Sequence, residues 1–169
     1  EYKEHINDLY PLDLSGYKLI VDLANGSNCV TAKDVLNKTK AEVTYINDDF
    51  NGININNKCG STHLQMLQEK VKEVHADVGI AFDGDGDRVG FVDNEANIIP
   101  ADKFLAILMQ FYSPHYQDKR VLYDVKCSSL LKDIADKLHL EPIMYRTGAS
   151  YTRSEIVKEN IPFGGEYSG

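Results

Sequence analysis

Asp83-Gly84-Asp85-Gly86-Asp87-Arg88 sets three carboxylates at alternate positions, separates them with glycine and ends on a fixed cation. Three such groups repel one another, and they can converge on a single cation only where the chain curls tightly. Glycine permits the curl, because it takes positive φ and brings no side chain. A hard cation such as Mg²⁺ prefers oxygen ligands and keeps positions open for water or a substrate phosphate. Arg88 adds a planar fork suited to phosphate or carboxylate. The same residues admit other readings. One is a solvated acidic turn, and another is an EF-hand loop in a non-catalytic Ca²⁺- or sugar-binding module. A third is the Asp-x-Asp pair of an aspartyl-nucleophile phosphatase, with Asp83 phosphorylated. The EF-hand fits badly: its sixth position, a glycine in that motif, is Arg88, and the flanking VGIAF and VGFV are strand-like where helices are required.

Two further segments carry chemistry. Asp124-Val125-Lys126-Cys127-Ser128-Ser129 follows an apolar run and opens a helical pattern. Backbone N–H groups at such a helix start favour anions, and Lys126 adds charge. Gly164-Gly165-Glu166-Tyr167-Ser168-Gly169 offers a carboxylate and a hydroxyl, but alone it is a weak signal that reads first as a flexible terminus. Ser61-Thr62-His63 suggests a triad fragment, but no nucleophile elbow accompanies it and a capped helix start accounts for the Ser and Thr.

These residues need a scaffold, and the hydrophobic pattern predicts one. The opening stretch, up to Pro11, reads as a short helix or linker. Tyr17–Ala24, Ala41–Ile46, Val78–Phe82, Val89–Val92, Val121–Val125 and Ile143–Tyr145 read as strands. Thr31 is expected to cap a helix through Leu36. Ser61 or Thr62 is expected to cap another with Leu64, Leu67, Val71 and Val74 on its apolar face, and Ser128 or Ser129 a third. Phe104–Tyr112 and Ser154–Asn160 read as helices, and the Asn-, Asp- and Gly-rich stretch Asn47–Gly60 as a loop. The β-α-β alternation predicts an α/β fold of two successive mixed-sheet domains, 1–99 and 100–169, with helices flanking each sheet.

Composition narrows the partners. With 26 acidic against 18 basic residues and a formal charge of −8, the chain lacks the cations a general nucleic-acid binder needs. A hydrophobic share of 43% supports a buried core, and no apolar run is long enough to span a membrane. Cys29, Cys59 and Cys127 are odd in number and widely spaced, so neither a disulfide framework nor a zinc site is expected. A reducing, cytoplasmic setting fits best.

The run Ala76–Asp93 resembles the metal-binding loop of the α-D-phosphohexomutase family, and Gly164–Gly169 its sugar-binding loop, in the family's order and spacing. The resemblance implies a Mg²⁺-dependent isomerase that moves phosphate between the 1- and 6-positions of a hexose. It assigns Asp83, Asp85 and Asp87 as metal ligands, Arg88 a place near the substrate, and Glu166 and Ser168 hydrogen bonds to sugar hydroxyls. Lys126 resembles the family's strand-end lysine, which implies phosphate contact or proton handling. Arg88 and Lys126 together would balance charge during transfer. Arg146–Ser150 resembles a further active-site loop, with Ala149 where some members carry His. Gly52–His63 resembles phosphoglucosamine mutases, whereas DVKCSS and FGGEYSG resemble phosphomannomutase/phosphoglucomutase members, which leaves the hexose open. The resemblance also implies an enzyme of four domains, this chain being the second and third. The phosphoserine that passes through a 1,6-bisphosphate would lie in the first domain, and the contacts to the distal phosphate in the fourth. The chain stops where the family continues with His, so a fragment is expected, binding metal weakly and inactive alone.

Overall fold

In the computed structural model residues 2–168 are described. Glu1 of the predicted opening helix and Gly169 of the C-terminal motif lie outside them. The chain divides into two compact units, the first ending at Ile99 and the second beginning at Pro100.

The first unit opens with α1 (Tyr2–Leu9) and continues through β1 (Lys18–Asp22), α2 (Asn28–Leu36), β2 (Glu42–Ile46), α3 (Gln65–Val74), β3 (Val78–Phe82), β4 (Val89–Asp93) and β5 (Ile98–Ile99). Its sheet has the order β2-β1-β3-β4-β5; β1 runs parallel to β2 and β3, and β4 is antiparallel to both its neighbours. β1 is apolar at successive positions because both of its faces are covered. Leu19 and Val21 pack with Ala32 and Leu36 of α2, while Ile20 packs on the opposite face with Leu67 and Val71 of α3.

The second unit comprises α4 (Ala101–Tyr112), β6 (Arg120–Asp124), α5 (Leu130–Lys137), β7 (Glu141–Tyr145), α6 (Ala149–Glu159) and β8 (Phe163–Gly165). Its strands have the order β7-β6-β8, all parallel, rather than the mixed sheet expected. Leu105 and Met109 of α4 and Leu131 and Ala135 of α5 pack on Val121 and Tyr123 of β6. Strand, helix, strand, helix, strand with the first strand central is thus the frame of both units, β1-α2-β2-α3-β3 in one and β6-α5-β7-α6-β8 in the other.

The α/β class and the six expected strands agree with the sequence, whereas the short β5 and β8 were not expected and the helix starts differ. Thr31 lies inside α2, where its hydroxyl donates to Asn28 Oδ1 at 3.2 Å. α3 begins at Gln65, with Leu64 at the cap position, because its apolar stripe begins at buried Leu64. Ser61 instead ties back to the sheet, its N–H donating to the Phe82 carbonyl at 3.0 Å. Ser129 does precede α5 but makes no side-chain capping bond. α6 starts at Ala149, five residues before its predicted start, where the Gly148 carbonyl accepts from the N–H groups of Tyr151 and Thr152.

Candidate active site

The acidic hexapeptide forms the tip between the antiparallel strands β3 and β4, whose last pair is Phe82 with Val89. Its first residue, Asp83, is only 2% exposed. Asp83 Oδ1 accepts from the N–H groups of Gly86 (3.0 Å) and Arg88 (3.1 Å), and Oδ2 accepts from Arg88 Nε at 2.7 Å. Burial disfavours charge on this carboxyl. The Arg88 backbone N–H, guanidinium and charge outweigh that, and hold Asp83 below the usual carboxylate range.

The two glycines serve different ends. Gly86 adopts φ +81°, which turns the tip back on itself. Gly84 is needed for space, since a Cβ there would strike Ile55 and Asn56 of the long Asn-rich loop. On the other side a Cβ at Gly26 would strike the Gly84 backbone, and Ser27 N–H donates to the Gly84 carbonyl at 2.9 Å. The β1–α2 turn and the 47–60 loop therefore form the seat of the acidic tip. Asp22 closes this seat: fully buried at the end of β1, it accepts from the N–H groups of Ala24 and Gly60, both at 2.9 Å.

Carboxylate oxygens of Asp83, Asp85 and Asp87 lie within 4.8 Å of one another, with Asp85 and Asp87 exposed. An octahedral Mg²⁺ shell with bonds near 2.1 Å spans about 4 Å, so the donor set and its spacing fit a hard cation. Both flanking elements are strands, which removes the EF-hand reading. Arg88 stands on Asp83, with Asp87 Oδ1 3.7 Å from its Nε, and its terminal nitrogens make no hydrogen bond to a described residue.

In the second unit Lys126 is exposed just beyond β6. The N–H groups of Lys126, Cys127 and Ser128 are engaged within the unit. Lys126 N–H donates to Asp124 Oδ1 (3.1 Å), Cys127 N–H to the Asp124 carbonyl (3.1 Å) and Ser128 N–H to Asp102 Oδ2 (3.2 Å). Asp124 is fully buried and Asp102 nearly so, hence two carboxylates brace this loop and leave the Lys126 ammonium as its cationic contact. Burial, with Asp124 beside it, pushes the Cys127 thiol up to about 12.

Glu166 follows β8 in the place that Asp83 holds after β3. Its Oε1 accepts from Gly148 N–H at 2.9 Å and Thr152 Oγ1 at 2.6 Å, while Ser168 is exposed. Arg146 stacks on Tyr151, 3.3 Å from the ring centroid. Asp102 and Thr152 stand in no motif that marks them as supports. A carboxylate closing an otherwise apolar strand, as in KLIVD and RVLYD, was the available signal for Asp22 and Asp124.

Comparison with known proteins bears directly on these loops. The profile of phosphoglucomutase/phosphomannomutase alpha/beta/alpha domain II matches residues 1–96, and that of domain III matches residues 100–169. Phosphoglucosamine mutase of Nitratiruptor sp. is 36% identical over 172 residues, covering 99% of this chain and 39% of that relative. Its counterpart in Pseudomonas aeruginosa is 39% identical over 158 residues, covering 93% and 36%. A phosphoglucomutase/phosphomannomutase family protein from Burkholderia thailandensis superposes with a TM-score of 0.87 at 29% identity, over 99% of this chain and 37% of that one. A putative phosphomannomutase from Thermus thermophilus shares the fold, with a TM-score of 0.81 at 21% identity, over 99% of this chain and 40% of that one. The chain thus spans about two fifths of the length of the curated relatives it matches. With both profiles matched in sequence order and the acidic tip built on the frame they describe, the chain belongs to the phosphoglucomutase/phosphomannomutase family, the α-D-phosphohexomutases.

Proposed function

We propose that this chain supplies the metal-binding and sugar-binding portions of a mutase that interconverts hexose 1-phosphate and hexose 6-phosphate. The observation that carries the reading is the convergence of Asp83, Asp85 and Asp87 at one tip, in a chain of this family. Those three carboxylates would hold Mg²⁺, which when bound supplies Lewis-acid polarisation of a phosphoryl oxygen. Asp83 is held ionised by Arg88 and Gly86, so the site's first ligand is pre-formed. The terminal nitrogens of Arg88, unpaired among the described residues, and the Lys126 ammonium offer charge to phosphate. Glu166 accepts from sugar hydroxyls through Oε2, and Ser168 adds a second polar contact. The unit ending at Ile99 is the metal-binding domain in this reading, and the unit beginning at Pro100 the sugar-binding one. Phosphoserine and the 1,6-bisphosphate exchange belong to parts of the enzyme outside these residues, in first and fourth domains, and the setting is cytoplasmic.

The test is an assay of the full-length protein on glucosamine, glucose and mannose phosphates, the first because the relatives named above are phosphoglucosamine mutases. One of the three is expected to isomerise in Mg²⁺. Asp85→Asn should then lower turnover about a hundredfold and weaken Mg²⁺ binding in calorimetry. A protein inert on all three, or one whose metal binding ignores Asp85→Asn, would overturn the reading.

A further inference from the structure

Glu166 is held by one oxygen only. Gly148 N–H and Thr152 Oγ1 both donate to Oε1, at 2.9 and 2.6 Å, and Oε2 takes no hydrogen bond from a described residue. Thr152 lies in the first turns of α6, 5% exposed, so its hydroxyl is a fixed donor rather than a solvent-swept one. Gly148 precedes the same helix. Two donors from one helix start therefore set the plane of the carboxylate and keep one oxygen occupied, while the other has no hydrogen-bond partner among the described residues.

We propose that Thr152 is a positioning residue, acting with the Gly148 N–H through Glu166 to orient Oε2 toward a hydroxyl of the hexose phosphate. This rests on the sugar-binding role of Glu166 given above. A short bond from a neutral hydroxyl to a carboxylate is stronger than a neutral pair, and its geometry fixes the acceptor. A group locked before the ligand arrives loses less freedom on binding than a rotating one. The loss of Thr152 Oγ1 leaves Oε1 one donor and frees the carboxylate to turn. The outcome is weaker hold on the sugar wherever Glu166 contacts it, with the phosphoryl-transfer machinery intact.

The experiment compares Thr152→Val, Thr152→Ser, Glu166→Gln and the double variant Thr152→Val/Glu166→Gln in the full-length protein. Thr152→Val is expected to raise KM for the hexose phosphate about tenfold with kcat little changed, and Thr152→Ser to restore it. Because Thr152 acts through Glu166, the double variant should lose no more than Glu166→Gln alone. A normal KM in Thr152→Val, or additive losses in the double variant, would overturn the assignment. A purely structural threonine would lower the melting temperature without this split. A crystal structure of Thr152→Val decides the matter apart from turnover: a carboxylate swung away from Gly148, or in several orientations, supports the role, and one unchanged orientation overturns it. If the wild type turns over none of the sugar phosphates, the proposed function fails, while that crystal structure still judges the positioning.

Discussion

At the scale of single residues the two units use buried carboxylates as internal braces, and the energetic effect shows best at Cys127. Its thiol donates toward Asp124 Oδ1 at 3.3 Å, in a site where a thiolate would face carboxylates without solvent. The folded state thus favours the neutral thiol. Its contribution to stability is complete below the ordinary thiol value of 9.0 and is lost as pH climbs toward about 12. The urea midpoint of the wild-type chain should therefore fall above pH 9, and Cys127→Ala should fall less over that range. At pH 8 a thiol reagent is expected to modify half-buried Cys29 in the native protein, and buried Cys59 and Cys127 only after unfolding. Rapid native labelling of Cys127 would contradict its burial. At this scale the clustering of the three acidic side chains was legible from sequence because its geometry is local: six consecutive residues carry the motif, its glycines and its arginine. The supports were not, since Thr152 reaches Glu166 across 14 positions and Asp102 reaches Ser128 across 26.

Elements explain why those local residues hold still. The acidic tip rests against the β1–α2 turn, where Gly26 lies so close to the Gly84 backbone that no Cβ fits. Backbone cannot rotate away as a side chain can, so Gly26→Ala should destabilise the first unit by about 1–3 kcal/mol. Because the displaced segment is the tip itself, Mg²⁺ affinity should fall in the same variant. Denaturant melts and calorimetry on one preparation check both effects, and loss of stability with undisturbed metal binding would mean that the clash is relieved elsewhere. Most strands were readable because apolar-rich runs of four to eight residues, each followed by a polar residue, leave few alternatives. The two- and three-residue β5 and β8 are too short to carry such a pattern. Helix starts were less so. α2, α3 and α6 begin without a side-chain cap, at positions fixed by what the apolar stripe or the neighbouring turn demands. A rule that looks for Ser or Thr therefore chose Thr31, Ser61 and Thr62, which do other work.

For the whole molecule, each unit has its own core. Leu67, fully buried in α3, belongs to the first, and Leu131, fully buried in α5, to the second. Each Leu→Ala change is expected to cost about 2–5 kcal/mol. As the two side chains share no core partner, the double variant should lose the sum to within about 0.5 kcal/mol, measured by denaturant unfolding. A clear departure from additivity would show that the cores are coupled. No helix among the described residues is long and apolar enough to cross a membrane. Both units repeat one frame of three parallel strands and two crossover helices, and in both the residue just past the third strand, Asp83 or Glu166, is acidic. That repetition separates inheritance into two ledgers. Substitutions in the packed frame are constrained by folding, whereas those at exposed positions of the short loops beyond the strands alter what is bound. Loop glycines that seat the tip, such as Gly26, answer to both demands. A lineage built this way can change its substrate one loop at a time, and the differences that matter between relatives should concentrate in a few dozen exposed positions.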